Sequence, residues 1–355
     1  MRPARSRARR RCEVECLPGL DEIVCEEIAA LLPGQALVGE SPRPGRLPVQ
    51  TLCPPWELEN LHCAVAVHLS LLFEVPRPKA LLGHQHFTRL LALVRQVAVR
   101  RPAGAFSAVR ISAAGADSAV FARLRAELER ELGLSGSTDG GDLLLSFRRP
   151  ADGSPGWEVL VRTTPLPLSA RSWRVCSMPG ALNATVAQAM VRLAQPRPDD
   201  RFLNLACGSG TFLVERLQTV PARQALGLDI RPDALQCARA NLEAGGCAPR
   251  ARLLHADATA VPLPSESMDT LVVDLPFGML VSSADEIRAL YPALLREGAR
   301  VARPGAALVA VTAARRLFEA CVACEPAWRQ ERSLAVRLPY KDREMTVGVY
   351  LLRRA

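Results

Sequence analysis

Two short stretches of the chain hold the residue types that could do chemistry. Asn204-Leu205-Ala206-Cys207-Gly208-Ser209-Gly210-Thr211 follows an apolar run, and Asp274-Leu275-Pro276-Phe277-Gly278 follows Thr270-Leu271-Val272-Val273. Both sit where a buried strand gives way to a loop, which is where open α/β sheets bind ligands. Glycines give the first loop the backbone freedom to wrap a nucleoside. The second offers a carboxylate, a carbonyl held beside a rigid proline, and a flat ring to lie against a base. Such a pair suits transfer of a methyl group from S-adenosylmethionine (SAM) to an amino group on a planar base.

Two further strand ends support a nucleoside site. Asp229, in Gly227-Leu228-Asp229-Ile230, can accept from both ribose hydroxyls, as acids at this position do in nucleotide folds. Asp257, in His255-Ala256-Asp257-Ala258, is placed to bond an adenine amino group. A dinucleotide fingerprint needs a third glycine three residues after the second. Here Leu213 stands at that place, which argues against a dinucleotide and leaves SAM. The expected cofactor residues are therefore Asn204, Ala206, Cys207, Gly208, Ser209, Gly210, Thr211, Asp229, Ile230, Asp257, Ala258 and Asp274. No metal is expected.

An exocyclic amine is a poor nucleophile because its lone pair is delocalised into the ring. An enzyme helps by accepting its hydrogen bonds and holding the nitrogen in line with the methyl donor. Asp274 would accept from the amine and stabilise the charge developing there. The Leu275 carbonyl, held by Pro276, would be a second acceptor, and Phe277 would stack on the base. A blander alternative has Asp274 capping the next turn and Phe277 in the core.

The elements needed to position these loops are legible. From Ala181 strands alternate with helices: helix 181–194, strand 202–205, helix 211–217, strand 225–230, helix 232–243, strands at 253–254 and 270–273, helix 285–301 and strand 307–311. A closing pair, 333–338 and 346–351, reads as an antiparallel hairpin. This is an α/β pattern, a doubly wound sheet whose last strand is antiparallel. Before it, strands at 13–16, 106–111, 142–147 and 157–163 mix with helices at 20–32, 81–99 and 118–132 in a separate α+β module. A Pro/Gly-rich stretch runs from Pro33 to Pro55.

Composition narrows the class. The 355 residues, 49% hydrophobic and 23% charged, fit a soluble globular chain with two or three domains. No apolar run approaches a membrane span, and no apolar segment follows the N-terminal arginines at 2, 5, 7, 9, 10 and 11, which argues against a signal peptide. Eleven scattered cysteines point to reduced thiols and a cytoplasmic location, and Cys321-Val-Ala-Cys324 reads as one helix face. The net charge of +9 permits a polyanionic partner. Lysine occurs only at 79 and 341, the mark of a GC-rich genome. That bias explains arginine in place of lysine but not the excess of bases over acids.

At this point the chain resembles a known family. Asp274-Leu275-Pro276-Phe277 is similar to the amine-methyltransferase motif [D/N]-P-P-[Y/F/W], in the form found in THUMP-domain RNA guanine-N2 methyltransferases. Pro165-Leu-Pro-Leu-Ser-Ala-Arg-Ser-Trp-Arg174 resembles the end of a THUMP domain and its junction to the catalytic domain. Pro179-Gly-Ala-Leu-Asn183 resembles the segment that closes over SAM, and Cys16-Leu-Pro-Gly-Leu20 the start of a ferredoxin-like domain. The resemblance implies a basic tail at 1–11, a ferredoxin-like domain at 12–60, a THUMP domain at 61–168 and a Rossmann-like class I methyltransferase domain at 169–355. Pro179 and Asn183 join the expected cofactor residues.

Within that family the chain resembles the bacterial and archaeal tRNA methyltransferases that make N2-methylguanosine at nucleotide 6 of the acceptor stem. The resemblance thus implies tRNA as partner, bound with its 3′ end by the ferredoxin-like and THUMP domains; a monomer that uses neither membrane nor metal is expected. Two positions depart from the pattern. Asn204 stands where Asp is usual, which would weaken or reroute contact with the methionine amino group. Leu275 replaces the first proline, which would loosen the backbone and disfavours a DNA-type motif. Amines of DNA, ribosomal RNA or a protein amide remain as rival acceptors, and a non-catalytic RNA-binding protein as a rival class.

Overall fold

Near-continuous apolar runs in the second half of the chain become a largely parallel sheet whose central strands are buried. The computed structural model describes residues 9–41, 43–134, 141–276, 284–340 and 343–355. They fall into two units, residues up to Cys16 with Val24–Leu168, and Leu17–Ile23 with Ser169–Ala355. The expected roles of Phe277 and Gly278, and of the arginines at 2, 5 and 7, lie outside the described residues.

The first unit is built from β1 (Arg10–Glu15), α1 (Asp21–Leu31), β2 (Ala36–Val38), β3 (Arg46–Thr51), β4 (Ala66–Phe73), α2 (His84–Ala98), β5 (Val109–Ala113), α3 (Ala119–Leu132), β6 (Leu143–Arg148) and β7 (Trp157–Arg162). Its seven strands form one sheet in the order β2-β3-β1-β4-β7-β6-β5. β1 pairs antiparallel with both β3 and β4, so the sheet continues across residue 60. β2 and β3 occupy the stretch that reads as Pro/Gly-rich loop. β3 buries alternate residues Leu47, Val49 and Thr51, but Pro48 inside it hides the strand signal. Helix α3 buries Phe121, Leu124 and Leu128, one face at helical spacing, and stops at Gly133 with φ +66°.

The second unit carries α4 (Ala184–Leu193), β8 (Arg201–Leu205), α5 (Thr211–Thr219), β9 (Gln224–Asp229), α6 (Pro232–Ala244), β10 (Ala251–His255), β11 (Met268–Asp274), α7 (Ala284–Val301), β12 (Ala302–Thr312), α8 (Arg315–Ala323), β13 (Trp328–Tyr340) and β14 (Arg343–Arg354). The sheet order is β10-β9-β8-β11-β12-β14-β13. The first five strands are parallel, and β14 runs antiparallel to both β12 and β13. This is the doubly wound sheet with an antiparallel last strand that the alternation implies. Leu203, Leu205, Leu228, Leu271, Val273, Leu308 and Ala310 form the centre of its core. Cys321 lies on α8, on the helix expected for it.

One expectation fails. Cys176 and Cys237 are joined in a disulfide with a Cα–Cα distance of 5.4 Å, so the cysteines are not all free thiols. The two are 61 residues apart, and only the fold brings them together. Among the described residues no helix is long and apolar enough to cross a membrane.

Candidate cofactor and catalytic site

Strand register gathers the chemistry at one rim of the second sheet. Val273 pairs with Leu205, Asn204 with Gly227, and Asp229 with His255. The glycine loop, Asp229, Asp257 and Asp274 therefore leave four adjacent parallel strands at their carboxyl ends, where such sheets bind ligands.

The loop after β8 is strained into shape. Ala206 has φ +52°, Gly208 +52° and Gly210 +77°. Left-handed backbone at a residue with a Cβ is uncommon, and it clusters at functional sites. The Cys207 amide donates to the Leu228 carbonyl (2.7 Å), and the Gly208 amide to Asp229 Oδ2 (2.8 Å). The other carboxylate oxygen accepts from the Arg231 amide at 3.0 Å. Asp229 thus shapes the loop first, and each oxygen keeps a lone pair for a ribose hydroxyl. Ile230 beside it is 63% exposed, a bare apolar surface at the rim. Asp257 is exposed, and its Oδ1 accepts from the Thr259 amide (2.7 Å) and hydroxyl (2.8 Å). Ala258 is buried behind it.

The missing third glycine has a structural answer. A Cβ on Gly210 would lie 3.0 Å from Ala238 of α6, and one on Gly227 would lie 2.6 Å from Leu213 Cδ1. Close approach of helix to sheet is secured at these two positions, on the loop and on β9.

Other expected contacts are redirected. Asn204 is fully buried. Its Nδ2 reaches the Leu205 and Val272 carbonyls at 3.3 and 3.4 Å, and its Oδ1 has no partner among the described residues. Asn183 caps α4, its Oδ1 accepting from the Thr185 amide (2.9 Å), and Pro179 is exposed. Ser209 and Thr211 are buried with hydroxyls 3.3 Å apart, and Arg174 donates to the Thr211 hydroxyl at 3.1 Å. Burial, with the Asp229 charge beside it, pushes the Cys207 thiol up to about 12, so this cysteine is no nucleophile.

Sequence reasoning missed Asn241. It sits on α6, fully buried, donating to the Ser209 carbonyl and the Cys176 carbonyl (both 2.9 Å) and accepting from the Cys176 amide (2.9 Å). One side chain so ties the cofactor loop to the segment before Pro179. The disulfide adds a second tie one helical turn earlier, at Cys237. Arg171 reaches Glu215 of α5 with its Nε at 2.8 Å, which fixes the start of this segment.

Asp274 closes β11, half-buried, with no hydrogen-bond partner for its carboxylate among the described residues. Desolvation pushes its carboxyl up to about 7. Leu275 does not loosen the backbone. Its amide donates to the Val311 carbonyl at 3.0 Å, a bond proline cannot make, and its side chain is buried in the core. The anchor of the next peptide is Tyr291 on α7. This buried phenol donates to the Pro276 carbonyl (2.6 Å) and lies 2.8 Å from the Thr312 hydroxyl. A tyrosine inside an amphipathic helix gives no sequence signal of that role.

A sheet of this order, with a left-handed loop after β8 and an acid closing β9, defines the class I methyltransferase fold. Residues 171–343 match the family model described as RMKL-like, methyltransferase domain. That match covers just under half of the chain. Over 308 residues it is 28% identical to the tRNA (guanine(6)-N2)-methyltransferase of Thermus thermophilus, covering 83% of this chain and 87% of that one. It is 34% identical to the mouse U6 snRNA (guanine-N(2))-methyltransferase THUMPD2 over 41% of this chain and 26% of that protein. The chain spans about a quarter of the length of the mouse, bovine and human forms of that relative. The crystal structure of TrmN from Thermus thermophilus shares the fold, with a TM-score of 0.72 at 24% identity over 97% of this chain and 99% of that one.

Proposed function

We propose that this chain is a cytoplasmic SAM-dependent tRNA methyltransferase that forms N2-methylguanosine at nucleotide 6 of the acceptor stem. The observation that carries the reading is Asp274, an unpartnered carboxylate on a tethered Asp-Leu-Pro turn beside a left-handed glycine loop. The near-full-length likeness to a tRNA (guanine(6)-N2)-methyltransferase supplies the acceptor.

The residues fit the cofactor. Asp229 has spare lone pairs for ribose, exposed Ile230 can lie against adenine, and Asp257 has a second oxygen for the adenine amine. Bound SAM supplies the methyl group as an electrophilic sulfonium. Asp274 accepts a hydrogen bond from the guanine 2-amino group and stabilises the positive charge that grows on it. It then takes the proton released when the new N–C bond forms, a role suited to a carboxyl near 7. The Leu275 carbonyl is the second acceptor, and Tyr291 holds the following peptide so that the turn keeps its shape. Phe277 stacks on the base. A paired guanine must first leave its stack, at a cost of a few kcal/mol offset by phosphate contacts and stacking. Transfer is direct, with no enzyme-bound intermediate.

Incubation with methyl-labelled SAM and separated tRNA, ribosomal RNA and DNA pools tests this reading. Label is expected in tRNA alone. Label confined to another pool would replace the assigned acceptor.

A further inference from the structure

Of the eleven cysteines nine are free thiols, and the two that are joined lie at the cofactor loop. Cys237, Ala238 and Asn241 share one turn of α6. That turn touches the loop at two successive residues. A Cβ on Gly210 would lie 3.0 Å from the Ala238 side chain, and Asn241 donates to the Ser209 carbonyl at 2.9 Å. Its other contacts run to Cys176. Cys237 supplies the disulfide, and Asn241 bonds both the amide and the carbonyl of Cys176, at 2.9 Å each. Cys176 is in turn the middle anchor of a short loop. Arg174 fixes the ends of that loop, donating to the Leu182 carbonyl at 2.9 Å and to the Thr211 hydroxyl at 3.1 Å. Between those ends Val175, Ser177, Pro179 and Gly180 are exposed.

A chain of this size has core enough to fold without a disulfide, and in a reducing cytoplasm such bonds are transient. This one has an open side, since Cys176 is half-buried while Cys237 is 5% exposed. Once reduced, the two sulfurs must part to van der Waals contact. Cys237 is packed within α6, so the displacement falls on Cys176 and its loop. Asn241 is fully buried and holds Cys176 by both polar atoms of its backbone. Moving that backbone loosens two of the three bonds that orient the carboxamide, and the third is the bond to Ser209. The state of the sulfurs is thereby transmitted to the loop that must wrap SAM.

We propose that Cys176 and Cys237 form a reversible thiol–disulfide site that sets the affinity for SAM. The oxidised form keeps the cofactor loop in its binding shape, and the reduced form releases it. In oxidation the two thiols give two electrons and two protons to hydrogen peroxide, the Sγ–Sγ bond forms, and the peroxide leaves as two waters. In reduction a thiolate of a dithiol attacks Cys176 Sγ, and Cys237 leaves as thiolate and takes a proton. The second thiol of the dithiol then displaces Cys176 from the mixed disulfide, and the dithiol departs as its own disulfide. By linkage, bound cofactor must favour the disulfide by the same factor by which the disulfide favours the cofactor. The inference rests on the SAM site described above and not on the RNA acceptor.

The test is calorimetry with S-adenosylhomocysteine, the cofactor without its methyl group, on peroxide-oxidised protein and on protein held in dithiothreitol. Alkylation and mass spectrometry report the state of both cysteines. The reduced protein is expected to bind at least about fivefold more weakly. Cys176→Ser and Cys237→Ser should each bind as the reduced protein does under both conditions. Cys324→Ser, which leaves the pair intact, should keep the full difference. In a graded series of reduced and oxidised dithiothreitol, saturating S-adenosylhomocysteine should raise the ratio needed for half-reduction by the factor found in affinity. A bond that only supports the fold would leave that ratio unmoved by ligand, and this result would overturn the proposal. So would equal affinity in both states, or a difference that persists in Cys237→Ser. Absence of binding in either state would overturn it together with the cofactor site. Methyl label in a pool other than tRNA would replace the acceptor and leave the switch standing.

Discussion

Asp274 does two things that pull against each other. To accept from an amine it must be ionised, while its surroundings disfavour the charge and push it up to about 7. Activity should therefore rise with pH through about 7 and then level off, and kcat/KM measured from pH 5 to 9 checks this. The same shift has the opposite sign for stability. The fold favours the protonated carboxyl, so its contribution is full below the unfolded value of about 3.9 and is lost as pH rises towards 7. Asp274→Asn should cut kcat by about 10²–10³, flatten the pH profile and leave SAM affinity unchanged by calorimetry. Tyr291→Phe removes only the bond to the Pro276 carbonyl and the one to Thr312. It should lower kcat about tenfold, in line with the loss of the one bond that holds the turn, with KM for SAM nearly constant and the melting temperature lowered by only about a few degrees. A parallel fall in kcat and melting temperature would make Tyr291 merely structural.

At the level of elements, the segment entering α4 is fastened to α6 by the Cys176–Cys237 disulfide and by Asn241. Closing a loop of 61 residues stabilises by about 2–4 kcal/mol in the chain-entropy account. Cys237→Ser should lower the melting temperature under oxidising conditions, and the difference from wild type should vanish in reductant. Equal melting in both conditions would mean that the bond adds nothing. The parallel strands and the helices between them were legible because a buried strand is an apolar run and each helix has a punctuated start and stop. The positions of Asp229, Asp257 and Asp274 followed from strand ends alone. β2 and β3 were not legible, because Pro48 and nearby glycines mask short strands. Neither were the disulfide, Asn241 or the Tyr291 anchor. Those depend on contacts between residues 15 to 65 positions apart, for which periodicity carries no information.

For the whole molecule, two seven-stranded sheets are built differently: one is largely parallel and carries the rim of acids and glycines, the other is largely antiparallel. The excess of bases over acids then has a use beyond genome bias, as a surface for a polyanion whose grip should weaken steeply with salt. The central claim is that the Asp274 carboxylate meets the 2-amino group of a guanine. It is tested most directly by a tRNA carrying inosine at nucleotide 6, since hypoxanthine differs from guanine by lacking that amino group. Nucleoside mass spectrometry after incubation with SAM should find N2-methylguanosine in the unmodified tRNA and no methylated nucleoside in the inosine-bearing one. Equal methylation of both RNAs would contradict the account.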